Sequence, residues 1–183
     1  PNLKGQFGLA QGLETSWEPS STYAEDQLKI DGFAQVDFLL NELDETPAEQ
    51  PAYLRLVLTD SHQPRQTETR YMNLFAKRGT KHPGRRAKYD ASVRKVDAIL
   101  AQLYRGVITR RPNTLFVVAS DHGEGLRHPD HHGKGHGNHL YETHIASPSI
   151  WNHPSLKAYR FKPNERGVYG AQLVLFRVLN ACG

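Results

Sequence analysis

The sequence predicts an α/β fold, a sheet with helices packed on it, from three observations. Two short apolar runs rich in β-branched and aliphatic residues, 53–59 (YLRLVLT) and 114–119 (TLFVVA), have the length and composition of strands. Two longer stretches on their amino-terminal sides carry apolar residues at helical spacing. The elements then run helix, strand, helix, strand, strand, helix, the alternation that lays helices on a sheet.

Each element follows from local chemistry. Residues 1–22 are rich in Gly, Ser and Pro and read as loop. Over 24–43, Leu28, Phe33, Val36, Leu39, Leu40 and Leu43 recur on one helical face, and Pro47 and Pro51 close the helix. Residues 53–59 form a partly alternating strand, and 60–86 a loop punctuated by Pro64, Gly79, Pro83 and Gly84. A second amphipathic helix carries Tyr89, Val93, Val96, Leu100, Leu103 and Tyr104, with Asp97 among its core positions in a structural role. Pro112 and Asn113 end the connection to the strand at 114–119. Residues 121–139 make a polar loop too long for a simple connection, which marks it as a functional segment. A short strand is expected over 145–151 despite Pro148, and a last helix over 168–179.

Composition bounds the class. A chain of 183 residues can bury one sizeable core, so one domain over 1–183 is expected. Hydrophobic content of 38% with 23% charged residues fits a water-soluble globular protein. No apolar run approaches the ~20 residues that cross a bilayer. The net charge of +4 suits an anionic substrate, and the basic residues gather in 65–94 and 105–111 without the interleaved aromatics that stack nucleic-acid bases. No nucleic-acid partner is therefore expected. Cys182 is the single cysteine, which leaves no internal disulfide and no cysteine metal site. The chain opens on Pro1 without a charged-then-apolar leader, so a processed or partial chain is expected and its compartment is unread.

The chemistry concentrates at the ends of the two strands. The run 115–119 stops abruptly at Ser120-Asp121-His122-Gly123-Glu124, which delivers a carboxylate and an imidazole to a sheet edge. An oxygen ligand beside a nitrogen ligand suits a divalent cation. The strand at 53–59 ends in Asp60-Ser61-His62-Gln63-Pro64, and a third polar segment, His136-Gly137, follows within the long loop. Neighbouring strands would bring all three together. A metal there could polarise an ester oxygen, and Lys134 with the histidines could counter the charge of a sulfate or phosphate. Glu124 is expected to orient the loop or His122. His128, His131, His132, His139 and His144 read as a solvated loop.

The segments TDSHQP at 59–64, YDASVRKVDAILAQL at 89–103, NTLFVVASDHGEGL at 113–126 and GHGNHLYETHIASPSIW at 135–151, in this order, resemble the sulfatase branch of the alkaline phosphatase superfamily. GQFGLAQGLE at 5–14 is similar to the segment before that family's variable region. The resemblance implies an alkaline-phosphatase-like sheet with helices on both faces, incomplete at its amino terminus. It implies a metal-dependent hydrolase of small-molecule or glycan sulfate esters. Asp121 and His122 match the family's metal-binding pair. His62 matches a catalytic histidine that contacts the anionic group or a second metal, His136 has a similar role, and both would neutralise the sulfate or protonate the leaving oxygen. Lys134 lies near the substrate-side lysine. The implied cofactor is a divalent metal, Ca²⁺ first, with Zn²⁺ or Mn²⁺ as alternatives. The family's nucleophile frame, Cys-x-Pro-x-Arg or Ser-x-Pro-x-Arg, does not occur, nor does its Asp pair after a strand. A partial catalytic domain, inactive by itself, is therefore expected. A phosphoethanolamine transferase or phosphodiesterase of the same superfamily, and a non-catalytic metal- or anion-binding remnant, stand as alternatives. The family is often exported.

Overall fold

The computed structural model describes residues 31–63, 65, 67–75, 84–126 and 135–156. The expected loop at 1–22, the start of the first helix and the last helix at 168–179 lie outside these residues. The chain divides into two compact units at Arg110/Arg111. Helices and a small two-stranded sheet make the described structure α/β.

The first unit is built on two helices. Helix α1 spans Gly32–Glu45 and helix α3 spans Arg85–Arg110, with a single turn, α2, at Thr69–Met72 between them. Asp31 caps α1, its side chain accepting from the Phe33 N–H at 3.2 Å. At the far end the Thr46 hydroxyl bonds the Glu42 carbonyl at 2.8 Å, and Pro47 follows. Val36, Leu40 and Leu43 of α1 are buried, as are Ala91, Ile99, Leu103 and Val107 of α3. Each of the Val, Leu and Ile side chains contributes about 1.5–3 kcal/mol by leaving water, and Ala91 less. Gly106 lets the helices close on one another, since a Cβ there would sit 2.5 Å from Leu40 Cδ1.

The buried row of α3 runs Ala91, Lys95, Ile99, Leu103, Val107. This row is rotated from the apolar set expected, for Val93 and Tyr104 are exposed. Asp97 is not among core positions: its side chain is exposed and pairs with Arg94. The row therefore contains one charged residue, Lys95, where the pattern of a core helix calls for an aliphatic one.

Residues 53–59 depart from the expected strand. Tyr53, Arg55 and Val57 are exposed while Leu54, Leu56 and Leu58 are partly buried, so the period of two is present. Among the described residues no strand pairs with this segment, and its apolar side packs without a ladder. One of its carbonyls, on Val57, accepts from the Gln35 side chain at 3.4 Å.

The second unit holds the sheet. Strand β1, Phe116–Ala119, pairs antiparallel with β2, Ser149–Asn152, in the register Phe116 to Asn152 and Ala119 to Ser149. The β-rich composition of 114–119 and 145–151 gave both strands, but 142–145 form a helical turn, α4 (Glu142–Ile145), before β2 begins. The antiparallel register has a direct consequence. The chain leaves β1 and re-enters β2 at the same end of the sheet, so residues 120–148 are one excursion closed at its base. Ser120 N–H bonds Pro148 O at 3.2 Å across that base.

Candidate active site

Within the second unit, the excursion from β1 brings the carboxylate and imidazoles of the sequence motif together. Asp121 and His122 follow the strand end directly. The Ser120 hydroxyl donates to the His122 carbonyl at 2.7 Å, and the Asp121 carboxylate accepts the His122 N–H at 3.0 Å. Both bonds tighten the turn that presents the pair. Gly123 N–H then bonds His144 O at 2.8 Å, and Gly125 N–H bonds Gly135 O at 3.2 Å. These bonds stitch the outgoing limb to the returning one. Gly123 is required here, because a Cβ would overlap the backbone carbonyl of Thr143 and lie 2.8 Å from that of Ala146.

The returning limb carries His136 onto His122. Their rings stack with centroids 3.8 Å apart and planes inclined by 28°. Glu124, its side chain buried, places Oε2 3.7 Å from His136 Nδ1. Asp121, His122, Glu124 and His136 thus form one cluster, with Asp121 and His136 exposed and His122 partly so. Gly137, at φ +90°, turns the chain sharply just after His136 in a region that favours glycine.

The tautomer of His122 follows from its partner. Nδ1 lies 2.7 Å from the Gly123 carbonyl, which can only accept, so Nδ1 carries the proton. In the neutral ring Nε2 then keeps its lone pair, and it lies 3.7 Å from Asp121 Oδ1. A ring N–H held by a backbone carbonyl while the other nitrogen faces a carboxylate is the arrangement by which proteins prepare a histidine for a cation. The donor set fits a divalent metal as two of its ligands. Among the described residues no group of three or more His, Cys, Asp and Glu side chains could hold one.

His144 is buried, not solvated as expected. It sits on α4 with Nδ1 3.1 Å from the His139 carbonyl and its ring edge-on to Tyr141. It fixes the returning limb just where Gly123 crosses it. Lys134, His128, His131 and His132 lie outside the described residues.

His62 belongs to the first unit. A turn closed by His62 N–H to Thr59 O at 2.9 Å presents its exposed side chain. Its Nδ1 also faces a carbonyl, that of Gln63, at 2.7 Å, which leaves Nε2 as the free lone pair. The turn is anchored on α3. Arg65 bonds the Ser61 carbonyl at 3.1 Å and lays its guanidinium 5.0 Å from the centre of the Tyr89 ring. The Asp60 side chain is 4% exposed, with Oδ1 2.9 Å from Lys95 Nζ. Glu68 Oε1 at 3.5 Å and Asp31 Oδ1 at 3.6 Å complete a set of three carboxylates about that ammonium. Burial alone would push Lys95 down, but the hydrogen bond and charge of Asp60, with Glu68 and Asp31, hold it above its ordinary 10.5. Glu68 is opposed by its own burial, yet its backbone N–H, Thr67 and Lys95 bring it below its ordinary 4.5. Sequence reading passed over Lys95. The signal was there in its spacing, four residues before Ile99 and eight before Leu103 on the buried row.

Comparison with known proteins gives a family. The Sulfatase family model matches residues 6–162. No curated protein and no solved structure shows a significant match to the chain. The family match takes in the His62 turn, α3, β1, the Asp121–His122 pair, His136 and β2, and over that span the chain belongs to the sulfatase family of hydrolases.

Proposed function

We propose that this chain forms the metal-binding and acid–base part of a sulfatase site that hydrolyses small-molecule or glycan sulfate esters. The observation that carries the reading is His122, its Nδ1 proton held by the Gly123 carbonyl and its Nε2 turned to Asp121. Asp121 and His122 would hold a divalent metal, which when bound would draw charge from the ester oxygens. Ca²⁺ is the metal the family reading favours, whereas the imidazole donor fits Zn²⁺ or Mn²⁺ better.

The remaining residues bind the anion and move protons. His62 and His136 each present an imidazole, the first with Nδ1 2.7 Å from the Gln63 carbonyl and the second with Nδ1 3.7 Å from the Glu124 carboxylate. A protonated imidazole at either place hydrogen-bonds a sulfate oxygen or gives its proton to the departing alkoxide. Lys134 adds a positive charge for the sulfate. The nucleophile belongs to sequence outside these groups, since neither family frame for it occurs here.

The test is Asp121→Asn in the intact enzyme, assayed on an aryl sulfate and an aryl phosphate in parallel. Turnover of the sulfate ester by the wild type and its loss in the variant, with an unchanged circular dichroism spectrum, are expected. Near-normal turnover in the variant would remove Asp121 from the metal. Hydrolysis of the phosphate ester alone would move the chain to the phosphoryl-transfer side of the superfamily, a reading that the nitrogen ligand favours.

A further inference from the structure

We propose that Lys95 is a positioning residue for His62, acting through Asp60 to hold the turn that presents the imidazole. The inference rests on the catalytic reading of His62 given above. Three observations carry it. Lys95 lies in the buried row of α3, between Ala91 and Ile99, with a side chain only 11% exposed. Its ammonium is 2.9 Å from a carboxylate that is itself buried and stands two residues before His62. That carboxylate is also packed against the first turn of α1, for a Cβ on Gly32 would lie 2.8 Å from Asp60 Oδ2. Asp60 is thus wedged between two helices, with Lys95 as its charged partner.

The contacts beyond Asp60 are set out to fix the turn. His62 N–H is bonded to Thr59 O, one residue before Asp60, so the backbone cannot move at Asp60 without carrying the imidazole. Arg65 closes the other side through Ser61 O and Tyr89. Glu68 and Asp31 are about half exposed and offset the Lys95 charge from the solvent side. An aliphatic residue at 95 would fill the row as well and would satisfy packing between the helices. What only a cation supplies is the grip on the carboxylate. A grip of this kind acts on rate, because small displacements of a proton donor cost turnover out of proportion to their size.

The experiment is a double-mutant cycle in the intact enzyme, with Lys95→Met, His62→Ala and the pair, reading kcat together with amide hydrogen exchange over 59–65. The expected result is a loss of about 100-fold or more for His62→Ala. Lys95→Met should lose about 10-fold or more, and the pair should stay within about threefold of His62→Ala alone, because the lysine acts only through the histidine. Exchange in 59–65 should rise in Lys95→Met, and Lys95→Arg, which keeps the cation, should recover most of kcat. Losses that multiply in the pair, or a Lys95→Met enzyme with wild-type kcat, would overturn the proposal. Should Lys95→Met fail to fold, Asp60→Asn takes its place in the cycle with the same two outcomes. A His62→Ala enzyme of normal kcat would overturn the catalytic reading of His62 and with it the positioning role. Raised exchange over 59–65 in that case would show that the lysine grips the turn while the histidine has no part in turnover.

Discussion

His122 and Gly123 show how much of a site rests on single residues in sequence. The first offers one nitrogen because the carbonyl of the second has taken the other. The second must lack a side chain because the carbonyls of Thr143 and Ala146 occupy the space where a Cβ would go. Those neighbours are backbone and cannot rotate away, so Gly123→Ala has to open the contact between the two limbs of the excursion. The substitution should destabilise the protein by about 1–3 kcal/mol, read as a lower urea midpoint at unchanged slope. It should also cost turnover, because the limb it pushes away carries His136. Gly84→Ala is the control, for its Cβ meets nothing within 4 Å. Equal effects at 84 and 123 would mean that the close approach does not hold the site.

At the scale of elements, the helix pair of the first unit is held by apolar rows and trimmed by charge. Arg110 of α3 binds both oxygens of Asp44 on α1, at 2.6 and 2.8 Å, in an exposed two-point contact. The Lys95 cluster is the more buried counterpart, near the other end of α1. Its acid side sets a pH response whose sign follows from Glu68. The folded protein holds Glu68 below its ordinary 4.5. The stabilisation is therefore full above that value and is lost as pH falls through the lower, folded value, where the folded state must take up the proton. Glu68 is half exposed, so its share is under about 1 kcal/mol. Lys95 gives the opposite limb: held above 10.5, it contributes fully below that pH and loses its contribution as pH rises through the folded value. Thermal melts from neutral pH down through 4.5 should fall less steeply for Glu68→Gln than for the wild type. An identical acid limb in the variant would remove Glu68 from the balance.

For the whole molecule, the sequence was legible where a pattern and a local stop coincide. The strand at 114–119 follows from an apolar run cut off by Asp-His-Gly, and β1 occupies its last four residues. Helix α3 was read from its period, although the stripe actually buried is rotated, because Lys95 enters the core with a carboxylate and no hydropathy pattern counts such a residue as buried. The segment 53–59 has the alternation of a strand and no partner among the described residues, and pairing is a non-local property that a single run of residues does not carry. At the site, the residue types were legible from spacing, but the stacking of His136 on His122 depends on an antiparallel return from β1 to β2. That return makes a prediction for the protein as a unit. A cation bound by Asp121 and His122 would tie one limb of the excursion to groups beyond it, and binding to the folded state alone stabilises the fold by mass action, about 2.7 kcal/mol at a hundred times Kd. Added Zn²⁺, Mn²⁺ or Ca²⁺ should therefore raise the melting temperature of the chelator-treated enzyme, the metal with the largest shift at equal concentration being the one that the site prefers. The shift should vanish in His122→Ala and survive in His144→Gln, whose buried ring sits on α4 and faces the His139 carbonyl. A metal-induced shift that persists undiminished in His122→Ala would place the cation elsewhere in the molecule.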